Sequence, residues 1–400
     1  MKTQIITTDF SAAAALIRAG ELVAVPTETV YGLAGNGLDV NAVEQIYEVK
    51  GRPSVKPLSL MVPGPEAMET VSVNIPKAAY ILAEAFWPGP LTIVLPASEA
   101  VPEIVRAGGT TVGLRCPDHP ATLELLRRAK VPFAAPSANP SGSPSPKTAE
   151  DVLHYFDGKI SAVVDGGKCG IGTESTIVDL SQTPYRILRP GALPEEKVWD
   201  ALVRHMRIVG VTGGTGCGKT TFLLALERRG ALVLDCDAVY HELLTTSEPM
   251  LAEIEARFHG TVVNGTLQRK VLGEIVFRDP SALADLNAIT HRYITLELCR
   301  RLRDHARAGG TSAAIDAIAL IESGLADLCD VIVGVTAPRE ARIERLILRE
   351  GVSRAYAESR IDAQKSNEWF REHCDRVLEN NDTLEAFEKQ SEILSMEVLQ

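Results

Sequence analysis

The chain has no uncharged apolar run of the about 18 residues that a membrane helix needs. Its most apolar late stretch, Ala313–Val335, is broken by Asp316, Glu322, Asp327 and Asp330. The opening MKTQIITTDF holds no apolar segment of the kind a secretory leader carries, so export is not expected. Seven cysteines are scattered without a CxxC pair, and none of the eight histidines stands near a cysteine at zinc-ligand spacing. This argues against a disulfide framework and against a protein-held structural metal, and fits reduced thiols in a cytoplasm. Basic residues are the minority, 41 Lys and Arg against 52 Asp and Glu, for a net charge of −11. A chain of that sign has no global attraction for nucleic acid or for an anionic membrane. Any polyanion site must be local, and no membrane partner is expected.

What remains is ordinary for a globular protein: 45% apolar and 23% charged residues over a length of 400, which suits two domains. The first half alternates short strands and helices with Pro/Gly-rich loops. Glu21–Pro26, Val112–Arg115, Ala162–Asp165 and Thr176–Leu180 read as strands. The segment APSANPSGSPSPK, at 135–147, is linker-like in composition. It lies between a strand pattern and the helix pattern Thr148–Phe156, which makes it a functional loop. A short polar helix over Pro194–His205 closes this half, and Met206 opens a new strand, so Met206 reads as a former initiator. The expected division is 1–205 and 206–400. The second half runs strand Ile208–Thr212, helix Lys219–Arg229, strand Leu232–Leu234, then strands Ala313–Ile315 and Val331–Val335. That alternation predicts an α/β fold with a doubly wound parallel sheet. The halves share no repeat.

Residues 213–220 read GGTGCGKT, the pattern G-x-x-x-x-G-K-[ST] between a strand and a helix. Glycines let consecutive N–H groups turn inward on phosphate oxygens, and the helix N-terminus adds its dipole. Gly214, Thr215, Gly216, Cys217, Gly218, Lys219, Thr220 and Thr221 are therefore the candidate ATP cradle. Lys219 reaches the β- and γ-phosphates, and Thr220 holds the Mg²⁺ that travels with ATP. Asp235 and Asp237 follow the second strand at its carboxyl edge, where a carboxylate can take the proton of an acceptor hydroxyl. Asp237 is assigned the catalytic role. Asp235 is left open between that chemistry and a helix N-cap. Arg342, Arg345 and Arg349 share one helix face, read either as a solvated basic face or as a lid over the transferred phosphoryl, with Arg345 and Arg349 preferred.

Beyond the loop, the segments LDCDAVYHELL, NGTLQRKVLGEIVF, LADLNAITHRYI, SRAYAESRIDAQ and CDRVLENND follow in order. In this arrangement residues 206–400 resemble the dephospho-coenzyme A kinases. The resemblance implies a P-loop nucleotide-kinase fold and ATP-dependent 3′-phosphorylation of dephospho-coenzyme A, with the span from Asn264 through Arg269 to His291 binding the coenzyme. The chain departs from the family at Asp316–Glu322, which reads DAIALIE where a Pro-Leu-Leu-Phe-Glu-like run is usual.

The first half has no such loop but gathers cations and small hydroxyls at strand ends: PTETVYG at 26–32, Lys50 and Arg52 with Lys56 close behind, Arg115, Ser137 and Asn139, Ser175, and Arg189. A triphosphate site without a P-loop needs such groups. Singly each has a plain structural account, as helix end, turn former or ion-pair partner. Together with FWPGPLTIVL, VGLRCP, GTESTIVD and ILRPG, they make residues 8–193 resemble the YrdC-like threonylcarbamoyl-adenylate synthases. The resemblance implies an open twisted α/β fold with a basic cavity. It also implies a reaction joining L-threonine, bicarbonate or CO₂, and ATP, with release of pyrophosphate. A separate transferase would then carry the group to tRNA. It implies Lys50, Arg52, Ser137 and Asn139, with Arg189, on the nucleotide, and Thr29, Arg115 and Ser175 on threonine. Met61 stands where some members have histidine, and the C-terminal domain of longer members is replaced by the kinase. Two other classes stay open: an RNA-binding module in the first half, and in the second a kinase for another nucleotide or small alcohol, or a non-catalytic ATP sensor.

Overall fold

Val23–Val25 is an uninterrupted apolar run buried on both faces, the pattern of a strand central to a covered sheet. In the computed structural model, which describes residues 2–400, it is the third strand of a ten-stranded mixed sheet. The order is Gln4–Ile6, Ala162–Val164, Val23–Val25, Gly32–Asn36, Phe133–Ala134, Ser59–Met61, Thr111–Arg115, Leu91–Pro96, Thr176–Asp179, Arg186–Arg189. Helices Phe10–Arg18 and Pro120–Ala129 bury Ala13, Ala14, Ile17, Leu125 and Leu126 against Val23, Val25, Phe133 and Val164. Helix Glu195–Val203 is amphipathic rather than polar, with Val198, Trp199, Ala201 and Leu202 buried. Contacts divide the chain into two units, residues up to 204 with 307–309, and residues 205–306 with 310–400.

The second unit holds five parallel strands in the order Leu232–Asp235, Ser312–Asp316, Arg207–Thr212, Val331–Thr336, Arg376–Glu379. In chain order that is 2-3-1-4-5, a doubly wound sheet. Its first and fourth strands in the chain lie side by side, so the chain reverses direction at Arg207–Thr212, and the loop leaving that strand opens at the switch point. Val209, Val211, Val333 and Val335 pack with Phe222 and Leu226 of helix Lys219–Arg228 and with Phe387 of helix Leu384–Val398. Among the described residues no helix is long and apolar enough to cross a membrane.

Candidate active sites

In the first unit the loop 26–32 is fastened to the Pro/Ser/Gly loop by backbone. Ala138 N–H donates to Tyr31 O at 2.8 Å, Leu33 N–H to Pro136 O at 2.7 Å, and Gly32 bridges Ser137. Lys50, 3% exposed, ends helix Val40–Lys50 and donates to the carbonyls of Ser137 and Asn139. Burial, then the neighbouring Arg52 cation, lowers its ammonium to about 8. Asn139 Nδ2 donates to Ser143 O at 2.7 Å, while its buried Oδ1 has no partner. The loop is thus an ordered structure rather than a linker.

Arg52, Ser137, Arg115, Ser175 and Arg189 line one cavity of about 190 Å³, together with Met61, Thr92 and Glu174. Lys50, Asn139 and Thr29 do not line it: Lys50 holds the carbonyls of Ser137 and Asn139, and Thr29 accepts from Arg115, so they support residues that do. Arg115 and Met61 are register partners on adjacent strands, so cation and thioether face the cavity side by side. Arg115 donates Nη2 to Glu28 Oε1 and to Thr29 Oγ1, both at 2.7 Å, and Glu28 Oε2 accepts Asp118 N–H at 3.0 Å. Ser175 is placed by parallel pairing of Leu91 with Thr176, and its hydroxyl lies 2.9 Å from Thr92 Oγ1. Arg189 donates to Ser175 O at 2.8 Å and to Glu174 Oε2 at 2.6 Å. Sequence reasoning missed Thr92, Glu28 and Glu174. An acidic residue kept inside a cluster of cations was the available signal for Glu174. Thr92 carried none, since a threonine within a strand is unremarkable. The cavity offers three guanidiniums and the hydroxyls of Ser59, Thr92, Ser137 and Ser175 to an anionic ligand, beside an apolar wall of Val30, Met61 and Ile177.

In the second unit the loop 213–220 leaves strand Arg207–Thr212 for helix Lys219–Arg228. Gly213 (φ 143°) has no room for a side chain, since a Cβ would meet Val335 O at 2.2 Å. Gly218, at φ 105°, takes the left-handed region that starts the helix. Gly214 through Thr220 line a cavity of about 490 Å³ with Asp237, Asp316, Arg345, Leu348, Arg349 and Arg360. Thr221 lies outside it, turned into the helix by its N–H bond to Gly218 O. Lys219 Nζ donates to Gly213 O at 3.3 Å and stands 3.7 Å from Asp316 Oδ1. Asp316 is raised to about 6, chiefly by burial, against the pull of Lys219 and with the push of Asp235 and Asp237.

The two aspartates after the second strand separate by geometry. Asp235 caps helix Cys236–Thr246, accepting Asp237 N–H at 2.9 Å and Ala238 N–H at 3.0 Å. Asp237 is left free to face the cavity. It also lines a second cavity of about 260 Å³ with Tyr240, Asn287, Thr290, His291, Ile318 and Ala319. The three arginines of helix Arg339–Glu350 divide as well. Arg342 is buried against the back of the loop and is not part of a lid face. Arg345 donates to Gly216 O and Asn380 Oδ1, each at 3.1 Å, and Arg349 pairs with Glu350. Arg360, quoted within SRAYAESRIDAQ but not singled out, joins them and pairs with Glu350 at 2.6 Å. No group of three or more His, Cys, Asp or Glu among the described residues could hold a metal ion.

Fold and sites define two α/β units, one with a cation-lined cavity and one a phosphate-loop protein of the 2-3-1-4-5 sheet order. Residues 15–191 match the Sua5/YciO/YrdC family model, described as "Telomere recombination", and residues 207–386 match the model described as "Dephospho-CoA kinase". The threonylcarbamoyl-AMP synthase of Pyrococcus abyssi is 50% identical over 196 residues, 49% of this chain and 57% of that protein. A Mycobacterium tuberculosis relative is 36% identical over 186 residues, 46% of this chain and 85% of that protein. The dephospho-CoA kinase of Thermobifida fusca is 39% identical over 182 residues, 44% of this chain and 88% of that protein. The chain belongs to both families, one in each unit. It spans about half the length of the first curated relatives it matches, 57%, 54% and 49% of them.

Proposed function

We propose that the chain carries two ATP-dependent activities: synthesis of L-threonylcarbamoyl-adenylate in the first unit and 3′-phosphorylation of dephospho-coenzyme A in the second. For the kinase the observation that carries the reading is the double exposure of Asp237. Its carboxylate lines both the phosphate-loop cavity and the adjoining cavity of Tyr240, Asn287 and His291. A donor in one and an acceptor hydroxyl in the other meet there, where a base is worth about 10²–10⁴-fold. The acceptor oxygen forms a bond to the γ-phosphorus as the bond to the β-phosphate oxygen breaks, and the hydroxyl proton passes to Asp237. Lys219, Arg345, Arg349 and Arg360 screen the transferred charge. The Thr220 hydroxyl and the Asp237 and Asp316 carboxylates are hard oxygen donors of the type Mg²⁺ takes. They fit a cation arriving with ATP, which would neutralise phosphate charge.

For the synthase, the shared cavity of Arg52, Arg115, Ser137, Ser175 and Arg189 carries the reading. The threonine amine adds to bicarbonate with loss of water, or to CO₂ with loss of a proton, giving a carbamate whose oxygen attacks the α-phosphorus while pyrophosphate leaves. Both partners are anionic, so guanidiniums on each side supply most of the help. Arg115 with Thr29 and Ser175 suits the threonine carboxylate, with Met61 against its methyl. Arg52, Ser137 and Arg189 suit the triphosphate, with Lys50 and Asn139 holding the loop beneath. The product is a reactive mixed anhydride, to be consumed by a separate transferase acting on tRNA.

Two measurements on purified protein test this. ADP and 3′-phosphorylated product from Mg-ATP and dephospho-coenzyme A should appear, and vanish in Lys219→Ala. Their absence from folded, ATP-binding protein would leave another kinase or a sensor. Pyrophosphate release should require threonine and bicarbonate together. Tight, salt-dependent tRNA binding without such release would favour an RNA-binding module.

A further inference from the structure

A phosphate loop that turns its N–H groups inward turns its carbonyls outward, and each buried carbonyl then needs a donor from elsewhere. Around Thr215 the partners come from two side chains. Arg342, 4% exposed, donates Nε to Thr215 O at 2.9 Å and Nη2 to Gln364 Oε1 at 2.7 Å. Gln364 Oε1 also accepts Thr215 N–H at 2.9 Å, while Gln364 Nε2 donates to Thr215 Oγ1 at 2.8 Å. Every polar group of Thr215 is thereby held. The fit is close: a Cβ on Gly214 would lie 2.1 Å from Arg342 Nη2 and 3.0 Å from Gln364 Oε1. Arg342 belongs to helix Arg339–Glu350, and Gln364 follows helix Arg354–Asp362. These two helices also bring Arg345, Arg349 and Arg360 to the cavity.

We propose that Gln364, together with Arg342, is a positioning residue for phosphoryl transfer. It fixes the phosphate loop from behind in its nucleotide-binding shape and ties that shape to the helices bearing the cavity arginines. Nothing in it touches substrate: Gln364 acts through Thr215, and its amide is engaged in three bonds. The proposal deepens the kinase reading, on which its catalytic readout rests, while its nucleotide-binding readout does not need an acceptor.

The test uses the full chain with Gln364→Leu, Gln364→Glu and Thr215→Val. ADP affinity is read by calorimetry, and kcat and KM for ATP and for dephospho-coenzyme A by product formation. Gln364→Leu strands the Thr215 N–H and should weaken ADP binding and raise KM for ATP about tenfold, leaving KM for the acceptor within about twofold. Gln364→Glu keeps an acceptor for Thr215 N–H and for Arg342, and the Thr215 hydroxyl can turn to donate. It should stay within about threefold of the parent. A role confined to stability gives a lower melting temperature and kcat with ADP affinity unchanged, and that result overturns the proposal. Should Gln364→Leu fail to fold, Thr215→Val decides, with an expected weakening of ADP binding of about threefold and no change as the contrary outcome. A parent protein that binds ADP but phosphorylates no acceptor defeats the kinase reading alone.

Discussion

The Lys219 ammonium stands 3.7 Å from Asp316 Oδ1, an oxygen that is buried and has no hydrogen-bond partner. The pair is close enough for attraction and too long for a hydrogen bond, so the carboxylate is incompletely compensated. Asp316 ends its strand opposite Asp235, and Asp237 adds to the acidic field. Burial and these like charges together push the carboxyl up to about 6 from an ordinary 3.8, with Lys219 only partly restoring it.

A pH profile of the kinase follows. Below about 6 Asp316 is neutral and Lys219 loses its orienting charge, so kcat/KM for ATP should rise with pH through an apparent value near 6. Stability runs the other way. The folded protein binds this proton more tightly than the unfolded chain, so the contribution is present below about 4 and is lost as pH rises through 6. Asp316→Asn should flatten the acid limb at a reduced rate and melt higher than the parent at pH 7. A variant with parental activity and an unmoved acid limb would remove Asp316 from the site.

Strand order and site were legible in the second unit to different depths. The loop 213–220 is local in sequence, so its cradle could be read directly from GGTGCGKT. Asp235 and Asp237 were two residues apart and chemically alike. Only the helix start, where Asp235 takes two N–H groups, separates them. Helical spacing puts Arg342 on the face of Arg345 and Arg349, which leaves a solvated face and a lid equally open for it. Its burial depends on Thr215 and Gln364, both far away in the chain. In the first unit the cavity residues come from seven separated segments, and nothing in their spacing reveals that Glu28 and Arg115 meet. That contact joins the loop before strand Gly32–Asn36 to the end of strand Thr111–Arg115, strands that are not neighbours in the sheet.

Glu28 and Arg115 form a pair whose side chains are 12% and 9% exposed, at 2.7 Å. Breaking such a pair by deleting one member strands a buried charge and costs about 3–5 kcal/mol. Glu28→Ala should therefore lower the melting temperature of the first unit and raise KM for threonine, because Arg115 loses the carboxylate that aims its fork. Arg115→Lys retains charge but not the bidentate geometry, and should raise KM for threonine with a smaller loss of stability. Differential scanning calorimetry beside threonine-dependent pyrophosphate release separates the two effects. Equal melting temperatures for Glu28→Ala and the parent would contradict the buried-pair argument.

Lys50 supplies an alkaline counterpart. Its ammonium, lowered to about 8 from 10.5 by burial and by Arg52, holds the carbonyls of Ser137 and Asn139. As pH rises through 8 the folded chain loses this proton while the unfolded chain keeps it, so stability does not fall through this group. Synthase kcat/KM for ATP should nevertheless decline above about 8, because the loop carrying Ser137 is released from its cation. Lys50→Met should abolish that limb, raise KM for ATP and make the segment 135–147 sensitive to limited proteolysis. A parental cleavage rate in Lys50→Met would mean that the loop is held by its backbone pairing alone.

Glu174 and Arg189, at 2.6 Å and 42% and 40% exposed, close one side of the same cavity. An ion pair so open to solvent is worth about 0–1 kcal/mol, so an arriving triphosphate can take Arg189 from Glu174 at little cost. The carboxylate then faces the phosphates as a like charge. Glu174→Gln should lower KM for ATP by up to about fivefold at low ionic strength, an advantage that shrinks as salt screens it. Arg189→Ala should raise KM for ATP, since it removes the partner that the nucleotide gains. If Glu174→Gln instead raises KM as Arg189→Ala does, the carboxylate contributes to nucleotide binding directly, through the cation that ATP carries.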